Sequence, residues 1–182
     1  MEHQSWVELG NSPAPTADGT ALASSASIGI ISPNSSTNPP FTIPANSLFP
    51  GAALRVRASG RHSTTGTPTL TFGLYYGGTG GVALAATAAI TCGSGVTNLT
   101  WSAMFEVVVR SIGTSGTVMA IGNVTGVGSA IAFAPASAPA VATIDTTAAK
   151  TLDLCATWSA SSASNTITCH SFLVEALNVN LS

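Results

Sequence analysis

Charge is what this sequence has least of. Only 7% of its 182 residues are Asp, Glu, Lys or Arg, against 45% hydrophobic, and the polar remainder is dominated by Ser, Thr, Asn and Gly. Soluble domains devote about 25% of their residues to those four charged types, because interspersed charge keeps a solvated surface from associating. A compact monomer of this mass exposes roughly 8,000 Å². Its 5 basic and 7 acidic side chains therefore leave about one charge per ~700 Å². Such a chain is expected to hide much of its surface in an assembly, and a structural or binding role is expected ahead of catalysis.

Other absences narrow the field. With a net charge of −2 there is no cluster of Lys and Arg able to displace counterions from DNA or RNA, so nucleic acid is not an expected partner. No run of about 20 apolar residues is free of breakers; the most apolar region, residues 130–144, carries Pro135 and Pro139. A membrane span is not expected. Residues 1–9 lack the basic-then-apolar plan of a secretory signal, so synthesis and folding in a cytoplasm are expected. Without that signal, the sequons at Asn34, Asn98 and Asn123 are read as chance in a Ser/Thr-rich chain. The three cysteines, Cys92, Cys155 and Cys169, are odd in number and widely spaced. That argues against a disulfide framework and against a CxxC-type zinc site and predicts small buried hydrophobes. His3, His62 and His170 fall in neither HxH nor HExxH spacing, so no metal or cofactor is expected.

What is present is β texture. Leu54, Val56 and Ala58 alternate with Arg55, Arg57 and Ser59, and Leu70, Phe72, Leu74 and Tyr76 repeat the period of two. Phe105, Val107 and Val109 interleave with Glu106 and Arg110, and Val118, Ala120 and Val124 follow the turn Gly113-Thr114-Ser115-Gly116, which predicts a hairpin. Leu152, Leu154, Ala156 and Trp158 alternate with Asp153 and Thr157. With runs at 21–31, 41–43, 82–90, 141–144 and 166–178, about ten short strands separated by turn residues predict an antiparallel β-sandwich over residues 18–182. Residues 1–17, with Pro13 and Pro15, read as an N-terminal arm whose Trp6, Val7 and Leu9 are candidate anchors. Strands apolar on both faces, such as Val107-Val108-Val109 and Phe172-Leu173-Val174, imply a second buried surface, most simply supplied by another subunit. Self-association would also protect exposed strand edges.

Few residues invite a chemical reading. The loop Gly77-Gly78-Thr79-Gly80-Gly81 lacks the Lys-Ser/Thr and the following helix of a phosphate cradle, so a mobile hairpin tip is expected. Cys169 and His170 are adjacent, and neighbouring strand residues face opposite sides of a sheet. A dyad there is not expected; a pairing across the fold of His62 or His170 with Asp145, Asp153 or Glu175 stays open. Arg55 and Arg57 share a strand face near Arg61 and are candidates for capsid or subunit contact, through either ion pairing or solvation. Tyr75, Tyr76 and Trp101 are candidates for a sugar-stacking platform, with core or interface packing the commoner fate of such aromatics.

The segments Phe41-Thr42-Ile43-Pro44-Ala45-Asn46-Ser47-Leu48, Leu54-Arg55-Val56-Arg57-Ala58-Ser59-Gly60, Ser63-Thr64-Thr65-Gly66-Thr67-Pro68-Thr69-Leu70-Thr71-Phe72, Thr143-Ile144-Asp145-Thr146-Thr147-Ala148 and Thr151-Leu152-Asp153-Leu154-Cys155-Ala156-Thr157-Trp158, then Ser162-Ala163-Ser164-Asn165-Thr166-Ile167-Thr168-Cys169, resemble a β-rich virion protein family of tailed bacteriophages. Its members serve as capsid decoration proteins, head fibres and distal modules of tail fibres or minor tail proteins. The resemblance implies an all-β, jelly-roll-like sandwich that associates as a homotrimer, with no enzyme activity, no catalytic set and no cofactor. It implies a virion location on the capsid surface, with the major capsid protein as partner. The alternative within the same resemblance is a head-fibre or tail-fibre module that binds a host cell-surface glycan through loops such as 77–81 or 130–140.

Overall fold

The computed structural model describes residues 7–8, 18–36, 39–127 and 141–177. Among these there is no α-helix, and hence no helix long and apolar enough to cross a membrane. The chain runs β1 (Val7–Glu8), β2 (Leu22–Ala23), β3 (Gly29–Ile30), β4 (Thr42–Ile43), β5 (Ala53–Ser63), β6 (Thr69–Tyr76), β7 (Val82–Ala86), β8 (Ile90–Thr91), β9 (Leu99–Ser111), β10 (Gly116–Thr125), β11 (Ala142–Ile144), β12 (Lys150–Trp158) and β13 (Thr166–Leu177). The predicted run 21–31 is two short strands, parted at Ser24 with φ 53°. The run 82–90 also divides, into β7 and β8. Strand β9 starts six residues before Phe105, because Leu99, Thr100 and Trp101 continue the same alternation.

Two antiparallel sheets stack into a sandwich. The first has the order β1-β13-β5-β9-β10-β11, with β2 also on β13; the second has the order β3-β12-β6-β7, with β4 on β12 and β8 on β6. Strand β5 pairs with β13 in one sheet while their chain neighbours β6 and β12 pair in the other. Two ribbons therefore cross the sandwich together, which is the winding of a jelly roll. Their corners are stapled: the buried Asn165 side chain accepts the Thr65 N–H at 2.9 Å, and the Ser159 hydroxyl accepts the Thr69 N–H at 2.8 Å.

Burial follows the period of two. Leu54, Val56 and Ala58 of β5, Phe105, Val107 and Val109 of β9, and Phe172 and Val174 of β13 face Leu70, Phe72 and Leu74 of β6 and Leu152, Leu154 and Trp158 of β12 in one continuous core. Each such side chain contributes roughly 1.5–3 kcal/mol by leaving water. The predicted hairpin is present as β9–β10. Its turn is held from outside, since the Thr146 hydroxyl accepts the Gly113 N–H at 2.8 Å and Gly113 C=O accepts the Thr146 N–H at 3.0 Å. All three cysteines are buried and free, as their spacing implied.

Candidate functional site

Arg55 and Arg57 project from the outer face of the first sheet, and each is matched by a carboxylate on a neighbouring strand. Register places Glu106 of β9 and Glu175 of β13 on either side of Arg55. The Arg55 guanidinium lies 3.2 Å from Glu106, and Arg57 Nε lies 3.6 Å from Glu175. Exposed pairs of this kind are worth about 0–1 kcal/mol each. Their consequence here is neutrality, because two arginines and two glutamates close on one another within the chain. Arg61 lies further along β5 and is exposed.

The structure describes only Val7 and Glu8 of the predicted arm, as a strand beside Ala176 and Glu175 of β13. Trp6 and Leu9 lie outside the described residues, as does the loop 130–140.

The aromatic platform is not assembled. Trp101 is 2% exposed with its ring centroid 5.2 Å from that of Phe72, and Tyr76 is 3% exposed, its hydroxyl donating to Asp145 C=O at 3.1 Å. Both are core. Tyr75 is half-buried on the opposite face of the second sheet, its ring lying across Gly73. Alternation alone distinguishes the two tyrosines, since Tyr76 continues the inward series of Leu70, Phe72 and Leu74.

Cys169 and His170 diverge as strand geometry requires. Cys169 is fully buried, its thiol donates to Ser171 C=O at 3.1 Å, and burial pushes its pKa up to about 12. A thiol so far from ionising is no nucleophile at neutral pH. His170 sits at the β-bulge between Cys169 and Ser171 and makes a short hydrogen bond to Asp18. That partner, 152 positions away, is none of the three carboxylates that sequence proposed. His62 faces the core, where desolvation lowers its pKa and a hydrogen bond to the Leu99 backbone offsets part of that fall.

The glycine loop connects β6 to β7 as a hairpin turn, and it has a defined seat. Gly77 and Gly78 adopt left-handed conformations, φ 96° and 71°, which favour glycine. The Gly77 N–H bonds to Thr151 C=O at 2.8 Å. Beneath the turn lies Asp153, 1% exposed, its carboxylate held by the Thr151 hydroxyl and the Gly78 N–H while Oδ2 has no partner. Burial pushes the Asp153 carboxyl above the ordinary range, and the two donors offset part of that rise.

These two groups give opposite pH limbs. Asp153 has a raised folded pKa, so its contribution to stability is complete below its unfolded value, about 3.9, and is lost as pH rises through the folded value. His62 has a lowered folded pKa, so its contribution is complete above about 6.5 and is lost as pH falls. Asp153→Asn keeps an acceptor for both donors and removes the buried charge. It is expected to raise the Tm at neutral pH, with the gain over wild type vanishing in acid. A Tm–pH series on both proteins checks this; a gain that persists unchanged at pH below the unfolded carboxyl value would show that the Asp153 charge is not its source.

No protein-family model and no curated protein matches the sequence. Among solved structures, the chain is similar to the CBM2 module of the evolved Dit of Lactobacillus casei BL23 phage J-1. The identity is 16%, with 78% of this chain and 69% of that one covered, at a TM-score of 0.30. A superposition this loose carries no functional argument.

Proposed function

We propose that the protein is a structural component of a tailed-phage virion, a decoration protein that sits on the outer surface of the head as a homotrimer and reinforces the shell through contacts with the major capsid protein. The observation that carries the reading is the very low charge of the chain, 12 charged residues in 182, on an all-β sandwich. A side chain set of this kind suits permanent burial against other protein. The sequence segments that resemble β-rich virion proteins run through β4, β5, β6, β11, β12 and the start of β13 and support the same reading. In this reading the arm, of which Val7–Glu8 pairs with β13, contacts the shell or a neighbouring subunit through Trp6, Val7 and Leu9. The role proposed is non-enzymatic.

Cryo-electron microscopy of intact particles with the gene present and deleted tests it. Density lost from the head surface is the expected result. A complete head that lacks fibre or tail density would replace this reading with that of an adhesion module. In that case the half-exposed Tyr75 beside the Gly77–Gly81 turn is the aromatic left to stack on a host glycan, since Trp101 and Tyr76 are buried. Particles unchanged in every part would remove the virion reading altogether. On purified heads, deletion of residues 1–17 is expected to abolish binding while the sandwich stays folded, and undiminished occupancy would remove the arm from the contact.

A further inference from the structure

We infer that the Gly77–Gly81 turn is a pH-operated cap, seated over Asp153 while that carboxyl is neutral and driven off it when the carboxyl ionises. Asp153 stands on the outer face of the second sheet, in register with Tyr75 of β6, where alternation would give it to water. It is nevertheless 1% exposed. What covers it is the turn: a Cβ on Gly78 would lie 3.9 Å from Asp153 Oδ2 and 3.7 Å from Cδ1 of Ile30 on β3. The cover is slight. Four of its five residues are glycine, so it brings no apolar side chain of its own to hold it down, and Thr79 and Gly80 are exposed. Its backbone is tied to β12 by the Gly77 N–H, bonded to Thr151 C=O at 2.8 Å, and by the Gly78 N–H on the carboxylate, while the Gly81 N–H turns back to Gly78 C=O at 3.0 Å. Gly77 and Gly78, both left-handed, form the hinge.

No cation closes on the carboxylate. The ion pairs of the described residues are Arg55–Glu106, Arg57–Glu175 and His170–Asp18. On β12 the titratable neighbours are Lys150 and Cys155. Lys150 is exposed, its Cδ 3.6 Å from where a Cβ on Gly77 would stand, and its charge acts on Asp145. Burial pushes the Cys155 thiol up to about 12. From β6 comes Tyr75, its hydroxyl also pushed up by burial; β3, β7 and the turn carry no titratable residue. Cys155 and Tyr75 are therefore neutral where a carboxyl titrates. Ionisation strengthens the bonds from Thr151 and Gly78, but loss of water outweighs them, since the carboxyl stays above its ordinary range. An unpaired buried charge is strongly destabilising. The least disruptive relief is local: lifting a turn that buries so little readmits water to the carboxylate and leaves both sheets paired.

The cap is independent of the proposed virion role, and its test needs no virion. Proton linkage sets the form of the result. From the ordinary carboxyl value, about 3.9, up to the value under the seated turn, the lifted population rises about tenfold per pH unit and then levels. Hydrogen exchange by NMR on the full chain, corrected for the intrinsic rate at each pH, reads that population at the Gly77 amide. The Val109 amide, bonded to Ala52 C=O at 2.9 Å, reads opening of the sandwich, and the side-chain carboxyl carbon resonance of Asp153 reads its ionisation. In wild type, Gly77 protection is expected to fall about tenfold per pH unit and to level where the Asp153 resonance titrates, with Val109 unchanged. In Asp153→Asn, Gly77 is expected to keep one protection at every pH. Should that variant not fold, the coincidence of the two wild-type curves decides. Gly77 protection indifferent to the titration of Asp153 overturns the inference, as does a carboxyl that ionises at its ordinary value beneath a seated turn. So does an equal fall in Asp153→Asn. A fall at Val109 in step with Gly77 also overturns it, because the charge would then open the sandwich and not the cap.

Discussion

Trp101→Ala is expected to destabilise the fold by about 3–5 kcal/mol, the range for deleting a buried aromatic, while Tyr75→Ala costs well under half as much. The indole of Trp101 fills the space between the sheets against Phe72 and over Gly60, and it is 2% exposed. Its removal loses the transfer free energy and leaves a cavity that two hydrogen-bonded sheets cannot collapse to fill. One term works the other way. Trp101 Nε1 is buried without a partner, so deletion also relieves an unsatisfied donor worth about 1–3 kcal/mol, and the low end of the range is therefore favoured. Urea unfolding checks both variants: the midpoint shifts far for Trp101→Ala and little for Tyr75→Ala, with the m-value held. A wild-type midpoint for Trp101→Ala would mean that the residue is not in the core, and it would return to consideration as a stacking surface.

The contrast between these two aromatics shows which features the sequence exposes to reading. A period of two needs only local sequence, and it separates Tyr76 from Tyr75, Trp101 from Thr100, and Leu54, Val56 and Ala58 from the outward Arg55 and Arg57. What it cannot supply is register. Glu106 and Glu175 are the partners of the arginines only because β9 and β13 flank β5 with a particular alignment, and that alignment is fixed by the packing of the whole sandwich. The Asp18–His170 contact joins positions far apart in the chain across a bulge, and no local pattern announces it. Asp153 is the instructive failure. Alternation puts it on the solvent side of β12, opposite Leu152 and Leu154, yet it is buried because the Gly77–Gly81 turn lies over it. Local sequence also shows that Val108 and Leu173 break the alternation by being apolar where a wet sheet would be polar, although the face they share carries Arg55, Arg57, Glu106 and Glu175 as well.

Gly60→Ala is expected to be at least as damaging per atom added as any substitution in the molecule. An added Cβ would fall 1.9 Å from the Thr168 carbonyl oxygen and 2.9 Å from Cζ2 of Trp101. The first of these is backbone of β13, pinned beside β5 next to the bulge between Cys169 and Ser171, so it cannot turn aside as a flexible side chain would. Relief requires the β5–β13 pairing itself to part, and the cost is expected at or above the top of the ~1–3 kcal/mol range for overpacking. Against this, alanine restricts the unfolded chain and would by that alone stabilise by about 0.4–1 kcal/mol. Gly80 isolates that smaller effect, because nothing lies within 4 Å of a Cβ there and its φ is not in the left-handed region. Thermal unfolding should therefore separate the pair in sign: Gly80→Ala at or slightly above the wild-type Tm, Gly60→Ala far below it. Equal midpoints would mean that β13 does not approach β5 as closely at Gly60 as the register requires, and the jelly-roll winding that brings the two corners together would need to be redrawn at that point.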